Sequence, residues 1–150
     1  MIKYCHILLL FCFIGAVCAF GNARLDSGTR NSDGKQQQAA FSIFKKIEEG
    51  ISSGKVSEIS NFFSSQMYLT LSNGVNGYYS SNQAYYVLQG YFKNYRVISC
   101  SIENISNEDE NVIGTGDYTY LFKGKEGKAQ VYISLKKIGK KWKITQLTID

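Results

Sequence analysis

The sequence predicts an α+β domain, on three observations. Apolar residues recur at helical spacing in the first part of the chain and alternate in its last third. The segments between the alternating runs are too short to hold crossover helices, so those strands must be antiparallel neighbours. Of four cysteines, Cys5, Cys12 and Cys18 sit at the extreme N-terminus, leaving only Cys100. No disulfide is then available within the domain, and apolar burial must hold it together, which about 130 residues can supply. Helices first and a sheet afterwards is the α+β order.

Taken in order, the chain opens with a basic lead at Lys3 and an unbroken apolar run over residues 7–14 (ILLLFCFI). Small residues follow, with Val17 and Ala19, or Gly21 and Ala23, at the spacing that signal peptidase reads. Residues 1–19 are therefore expected to be a cleaved signal peptide, with cleavage after Ala23 as the alternative. The run from Ile7 to Phe20 is shorter than the ~20 residues of a membrane span, and bulky Val17 argues against lipidation of Cys18. The implied address is the periplasm or the cell surface. Residues 20–36 are polar, rich in Gly, Ser and Asn, and without period, so they are expected to form a disordered leader. The domain is expected to span residues 37–150.

Within it, Ala40, Ile43, Phe44, Ile47 and Ile51 mark the buried stripe of a helix whose other face carries Lys45, Lys46, Glu48 and Glu49. Gly54 ends it. Val56, Ile59, Phe62 and Phe63 predict a second, short helical turn. Met67, Leu69 and Leu71 alternate with Tyr68 and Thr70 as a strand, and residues 73–77 (NGVNG) supply a reversal into a hairpin. Ser80 with Gln83 matches a capping box ahead of a helix that buries Ala84, Val87, Leu88 and Tyr91 and ends near Lys93. Four β-rich runs follow, over residues 95–105, 112–122, 128–138 and 141–149, and form a meander. In the last run the apolar face switches from Trp142 and Ile144 to Leu147 and Ile149, which a bulge near Thr145 and Gln146 explains.

The chemistry available is narrow. The one histidine, His6, leaves with the signal peptide, which removes imidazole general bases, triads and histidine metal sites from the domain. Cys100 falls in an alternating apolar stretch and reads as core filler. No phosphate-binding or dinucleotide fingerprint is present, and Gly114-Thr115-Gly116 lies inside a strand, where it reads as a device of the sheet. No metal site, cofactor or disulfide is expected. Asp117 is the sole weak catalytic candidate: a carboxylate in an apolar pocket beside a tyrosine can move a proton next to a carbonyl. The competing expectation places Asp117 on the solvent face with Thr115 and Thr119. Between Lys123 and Lys143 eight lysines face Glu126 alone, a pattern that commonly keeps strands soluble, and an exported chain rarely meets nucleic acid.

Eleven tyrosines give the chain its character. Tyr79, Tyr91, Tyr118, Tyr120 and Tyr132, with Trp142, are the candidates for lining a ligand cleft, since each ring joins an apolar body to a polar tip.

Three stretches carry a resemblance: residues 41–64 (FSIFKKIEEGISSGKVSEISNFFS), 78–92 (YYSSNQAYYVLQGYF) and 141–150 (KWKITQLTID). The chain resembles an uncharacterised family of exported bacterial proteins, a domain of unknown function with the nuclear transport factor 2-like fold. The resemblance implies N-terminal helices packed in a curved, mostly antiparallel sheet that forms a cone able to hold a small molecule, and an outer sheet face that often pairs two copies. It carries no catalytic residues. Three functions are then in view: a non-catalytic domain that binds a small apolar or amphipathic ligand in the cone; a module for dimerisation or for docking on an envelope protein; and, last, an isomerase- or hydratase-like enzyme using Asp117, which requires Asp117 to point away from solvent.

Overall fold

The first helix, α1 (Ser27–Ser52), lays Ala40, Phe44, Ile47 and Ile51 against the sheet, one residue per turn, all at 1% exposure or less. The computed structural model describes residues 27–150, so the expected signal peptide and residues 20–26 of the leader lie outside the described residues. Residues 27–36, expected to be disordered, are helical instead. Once packing of the apolar stripe has nucleated the helix, each added turn costs little, and a polar composition does not stop it. What stops it at the other end is Gly54, at φ +66°. Its amide donates to the carbonyl of Ile51 and the amide of Lys55 donates to that of Gly50, the paired bonds of a Schellman terminus.

The short α2 (Val56–Ile59) and a 3-10 turn over Ser60–Phe62 follow, and Gly50 lets α2 close onto α1: a Cβ there would sit 2.5 Å from the Ile59 side chain. Strands β1 (Phe63–Leu71) and β2 (Asn76–Ser80) form the expected hairpin. Helix α3 (Ser81–Asn94) starts at the predicted capping box: Ser80 and Gln83 each accept a backbone N–H from the other's residue. It buries Ala84, Leu88, Tyr91 and Phe92.

The sheet order is β2-β1-β7-β6-β5-β3, with β3 (Tyr95–Cys100), β4 (Asn104–Glu108), β5 (Asn111–Phe122), β6 (Lys125–Ile138) and β7 (Lys141–Ile149). All pairings are antiparallel except β1 with β7. That parallel contact, which joins the hairpin to the meander, was not legible in the sequence. The run expected over residues 95–105 is bent into β3 and β4, both lying along β5. Ser101 and Glu103 keep pairing with Asp117 and Thr115 of β5, but the Ile102 amide turns to α1 and donates to the Glu48 carboxylate over 2.6 Å. The carboxylate thus satisfies a backbone donor that points away from β5 at the sheet edge, and ties the corner to α1.

Gly114 and Gly116 make that corner possible. A Cβ on Gly114 would meet the Phe44 ring at 2.5 Å, and one on Gly116 would stand 1.9 Å from the Ser101 carbonyl oxygen. The glycine pair is a sheet device, admitting a helix side chain and a neighbouring backbone to van der Waals contact. The bulge expected near Thr145 and Gln146 is present: Ser134 pairs with Gln146 but Leu135 with Ile144, leaving Thr145 extra. Ile144, Leu147 and Ile149 therefore all reach the core.

Candidate functional site

The pairing registers assign every strand residue to one of two faces. Tyr118, Tyr120 and Phe122 of β5 share the inner, helix-facing side with Tyr95 of β3, and Tyr91 of α3 comes down onto them. Three rings stack in parallel: Phe122 on Tyr95 at 4.4 Å and 8°, and Tyr95 on Tyr91 at 4.6 Å and 10°. Tyr120 meets Tyr95 edge-on at 5.2 Å, and Tyr118 lies tilted 5.8 Å from Tyr120. Offset stacks and edge-on pairs are the arrangements that the ring quadrupole favours.

The polar tips of the two fully buried rings are accounted for. The Tyr118 hydroxyl donates to the Tyr95 carbonyl over 3.2 Å, and the Tyr91 hydroxyl lies 3.3 Å from that of Ser72, which also donates to the Ile149 carbonyl. Burial pushes the Tyr91 phenol up to about 12, against the Ser72 hydrogen bond and with help from Tyr120, Tyr95 and Asp150. Burial raises Tyr118 as well, aided by Tyr91, Cys100 and Tyr120. Both rings are closed to solvent, at 1% and 0% exposure, so this part of the cone is filled by its own side chains.

At the end of the stack the filling stops and a cleft of about 340 Å³ opens, lined by Tyr120, Phe122, Lys123, Lys125, Glu126 and Gly127. The turn between β5 and β6 builds it. Lys123 and Gly124 both take positive φ, +49° and +78°, which brings the Lys123 ammonium 5.1 Å from the centre of the Phe122 ring. Gly127 yields its side-chain space to Tyr120, whose ring atoms would lie 2.5 Å from a Cβ there. The result is an aromatic wall beside two ammonium groups and one carboxylate, with room for a small flat molecule.

The candidate residues do not form one site. Tyr91, Tyr118 and Tyr120 come together, but only Tyr120 reaches the cleft. Tyr79 stands on β2, partly buried against the core. Trp142 lies opposite Lys137 at the far end of β7, and Tyr132 is on the outer face, opposite Thr115 and Thr148. Phe122 and Tyr95 were missed, although strict alternation from Tyr118 and Tyr120 reaches Phe122.

Asp117 is exposed on the outer face, where its carboxylate accepts from Gln130 Nε2 over 2.6 Å. It shares that face with Thr115 and Thr119, so the condition on which an Asp117 acid–base mechanism depended is not met. The Cys100 thiol is buried and pushed up to about 12, by burial first and the Glu48 carboxylate second. Its sulfur therefore stays protonated near neutral pH, the state in which a thiol is a poor nucleophile. Among the described residues no group of three or more His, Cys, Asp or Glu side chains is placed to hold a metal ion, and no helix is long and apolar enough to cross a membrane. The lysine-rich stretch divides between the two ends of β6: Lys123 and Lys125 at the cleft, with Lys128 just beyond it opposite Thr119, and the other five toward the opposite end, where Lys136 pairs with Glu110 at 2.7 Å.

A family model described as a domain of unknown function (DUF4783) matches residues 44–150. Two solved DUF4783 proteins are similar in structure: one from Bacteroides uniformis, with 19% identity and a TM-score of 0.63 over 71% of this chain and 94% of that one, and one from Bacteroides ovatus, with 20% identity and 0.60 over 70% and 91%. An NTF2-like protein from Anabaena variabilis matches with 16% identity and a TM-score of 0.60, over 75% and 86%. These likenesses show an NTF2-like α+β fold. No curated protein matches the chain.

Proposed function

Because the chain belongs to the DUF4783 family of domains of unknown function, whose likeness carries a fold and no reaction, we propose its role from its own residues: an exported, non-catalytic domain that binds a small amphipathic molecule at the mouth of the cone. The observation that carries this is the cleft where the stack of Tyr91, Tyr95 and Phe122 ends beside Lys123 and Lys125. A flat apolar body continues the stack against Tyr120 and Phe122, and an anionic end meets the two ammonium groups. A space of about 340 Å³ falls in the lower range of small-molecule sites. The exposed position of Asp117 and the buried, protonated thiol of Cys100 support binding over catalysis. The basic, apolar N-terminal segment supports export to the periplasm or cell surface. Dimerisation or docking on an envelope protein has less behind it, since the large apolar side chains that stay exposed (Phe41, Tyr78, Tyr86, Ile98 and Ile138) stand on five different elements.

Native mass spectrometry of the full-length chain, expressed with its own N-terminal segment and recovered from the periplasm, tests this directly. The expected result is a polypeptide shortened by the signal peptide and carrying a retained small molecule, which Phe122→Ala releases. A chain recovered unprocessed inside the cell contradicts export. A processed chain that is empty both as wild type and as Phe122→Ala contradicts binding at the cleft.

A further inference from the structure

Strand β7 loses register with both neighbours at the same level. Against β6, Thr145 is the extra residue between the pairs Ser134–Gln146 and Leu135–Ile144. Against β1, the pairing passes from Phe63–Ile144 to Tyr68–Gln146, so that four residues of β1 stand against one of β7. In that stretch the buried Ser64 hydroxyl turns inward to the Gln66 carbonyl. Two irregularities meeting at one residue open the outer face of the sheet there, and bulges commonly re-aim side chains at binding sites.

The consequence is a groove of about 570 Å³ on the face away from the helices, lined by Gln66, Tyr68 and Tyr78 from the hairpin and by Asn111, Ser134, Thr145 and Gln146 from the meander. Regular alternation would have hidden either Thr145 or Gln146, and the bulge presents both. Every lining side chain is uncharged and ends in an amide or a hydroxyl. This is unexpected in a chain of 19% charged residues whose lysines flank the same strands. Part of the lining is held in place: Thr145 Oγ1 donates to the carbonyl and hydroxyl oxygens of Ser134, both over 3.3 Å, and the Tyr68 hydroxyl donates to Asn76 Oδ1 over 2.7 Å. Tyr68 in turn supports Tyr78, edge to face at 4.8 Å, and Tyr78 offers its ring to solvent at 69% exposure.

We propose that this outer groove binds a neutral carbohydrate chain. Amides and hydroxyls in a row match vicinal sugar hydroxyls, which donate and accept in pairs, and an exposed, buttressed tyrosine ring matches the C–H face of a pyranose. No charged side chain lines the groove, and the two ammonium groups beside it are already engaged, Lys136 with Glu110 at 2.7 Å and Lys143 with the Asn61 carbonyl at 2.8 Å, so an anionic ligand would have to compete for them. An apolar ligand would strip water from amides without replacing its hydrogen bonds. An extended peptide would pair its backbone at the free edge of β2, whereas the groove lies on the face of the sheet.

The test is an amide NMR titration of the processed protein with maltotetraose, cellotetraose, mannotetraose and tetra-N-acetylchitotetraose, with tetragalacturonate as the charged counterpart. Saturable shifts centred on Gln66, Ser134, Thr145 and Gln146 with at least one neutral sugar, weaker or absent with tetragalacturonate, are the expected result. Tyr78→Ala should then weaken binding about tenfold while lowering the thermal midpoint by only about 2–4 °C, because the ring it removes is mostly exposed and loses one edge-on contact with Tyr68. The proposal is overturned if no neutral sugar in the set shifts these amides, if the shifts lie elsewhere, if tetragalacturonate binds as well, or if a second copy of the chain covers the groove and sugar does not displace it. The mouth cleft lies on the other face, so failure here leaves the binding proposed there to its own test.

Discussion

The two faces of the sheet use tyrosine for opposite purposes. On the inner side Tyr118 is fully buried, hydrogen-bonded to a backbone carbonyl and enclosed by Tyr91 and Tyr120. On the outer side Tyr132 and Tyr68 are half-buried and Tyr78 is open to solvent, among amides and hydroxyls. The difference is one of parity along the strand, since adjacent residues of β5 and β6 face opposite ways. An abundance of tyrosine therefore indicates neither a core nor a binding site until each ring has been given its face.

The sharpest way to break this contrast is to truncate one ring on each face. Tyr118→Ala should cost about 4 kcal/mol, as removal of a large buried aromatic does, with a carbonyl left unsatisfied in addition. Tyr132→Ala should cost about 1 kcal/mol. Equilibrium urea unfolding measures both, and equal losses would mean that the outer face is as much a core as the inner one. Next in size, Gly116→Ala should cost about 3 kcal/mol, because the new Cβ meets a backbone oxygen that no side-chain rotation can move. Thr115→Ala, one residue away and facing out, should stay within about 0.5 kcal/mol of wild type. A tolerated Gly116→Ala would show that the β3–β4 corner can slide along β5.

The same parity explains what the sequence disclosed. Period and turn chemistry placed α1, the capped α3, the hairpin, the meander and even the Thr145 bulge, because each leaves a local signature in residue spacing. The parallel contact of β1 with β7 leaves none: it joins residues some eighty positions apart, and nothing local distinguishes it from an antiparallel alternative. The corner at Ile102 was hidden for a related reason, since the Glu48 carboxylate that ties it down lies on a helix 54 residues earlier. Of the six residues proposed for a ligand site, three converge. Alternation would have separated Tyr132 from Tyr118 and Tyr120 had the β5–β6 register been known. The outer groove was illegible because its uncharged side chains look like ordinary solvent-facing positions until two bulges bring them together.

The smallest expected effect concerns the protons of the buried inner rings. Tyr91 holds its proton up to about 12 in the folded protein, whereas an unfolded phenol releases it near 10. A group whose folded value is raised contributes its full stability below the unfolded value and loses it as pH climbs toward the folded one. Stability should therefore be flat across neutral pH and fall between pH 10 and 12, by at most about 1.4 kcal/mol per pH unit for each such tyrosine. Tyr118, raised in the same direction, steepens the fall. Tyr91→Phe is the informative variant: Ser72 keeps its bond to the Ile149 carbonyl, so the hydroxyl left behind is not orphaned. Thermal midpoints recorded from pH 7 to 12 should show Tyr91→Phe declining less steeply than wild type above pH 10. If the Tyr91→Phe and wild-type curves coincide, Tyr91 ionises in the folded state as freely as in the unfolded one, and the ring stack is wetter at its Ser72 end than its geometry implies.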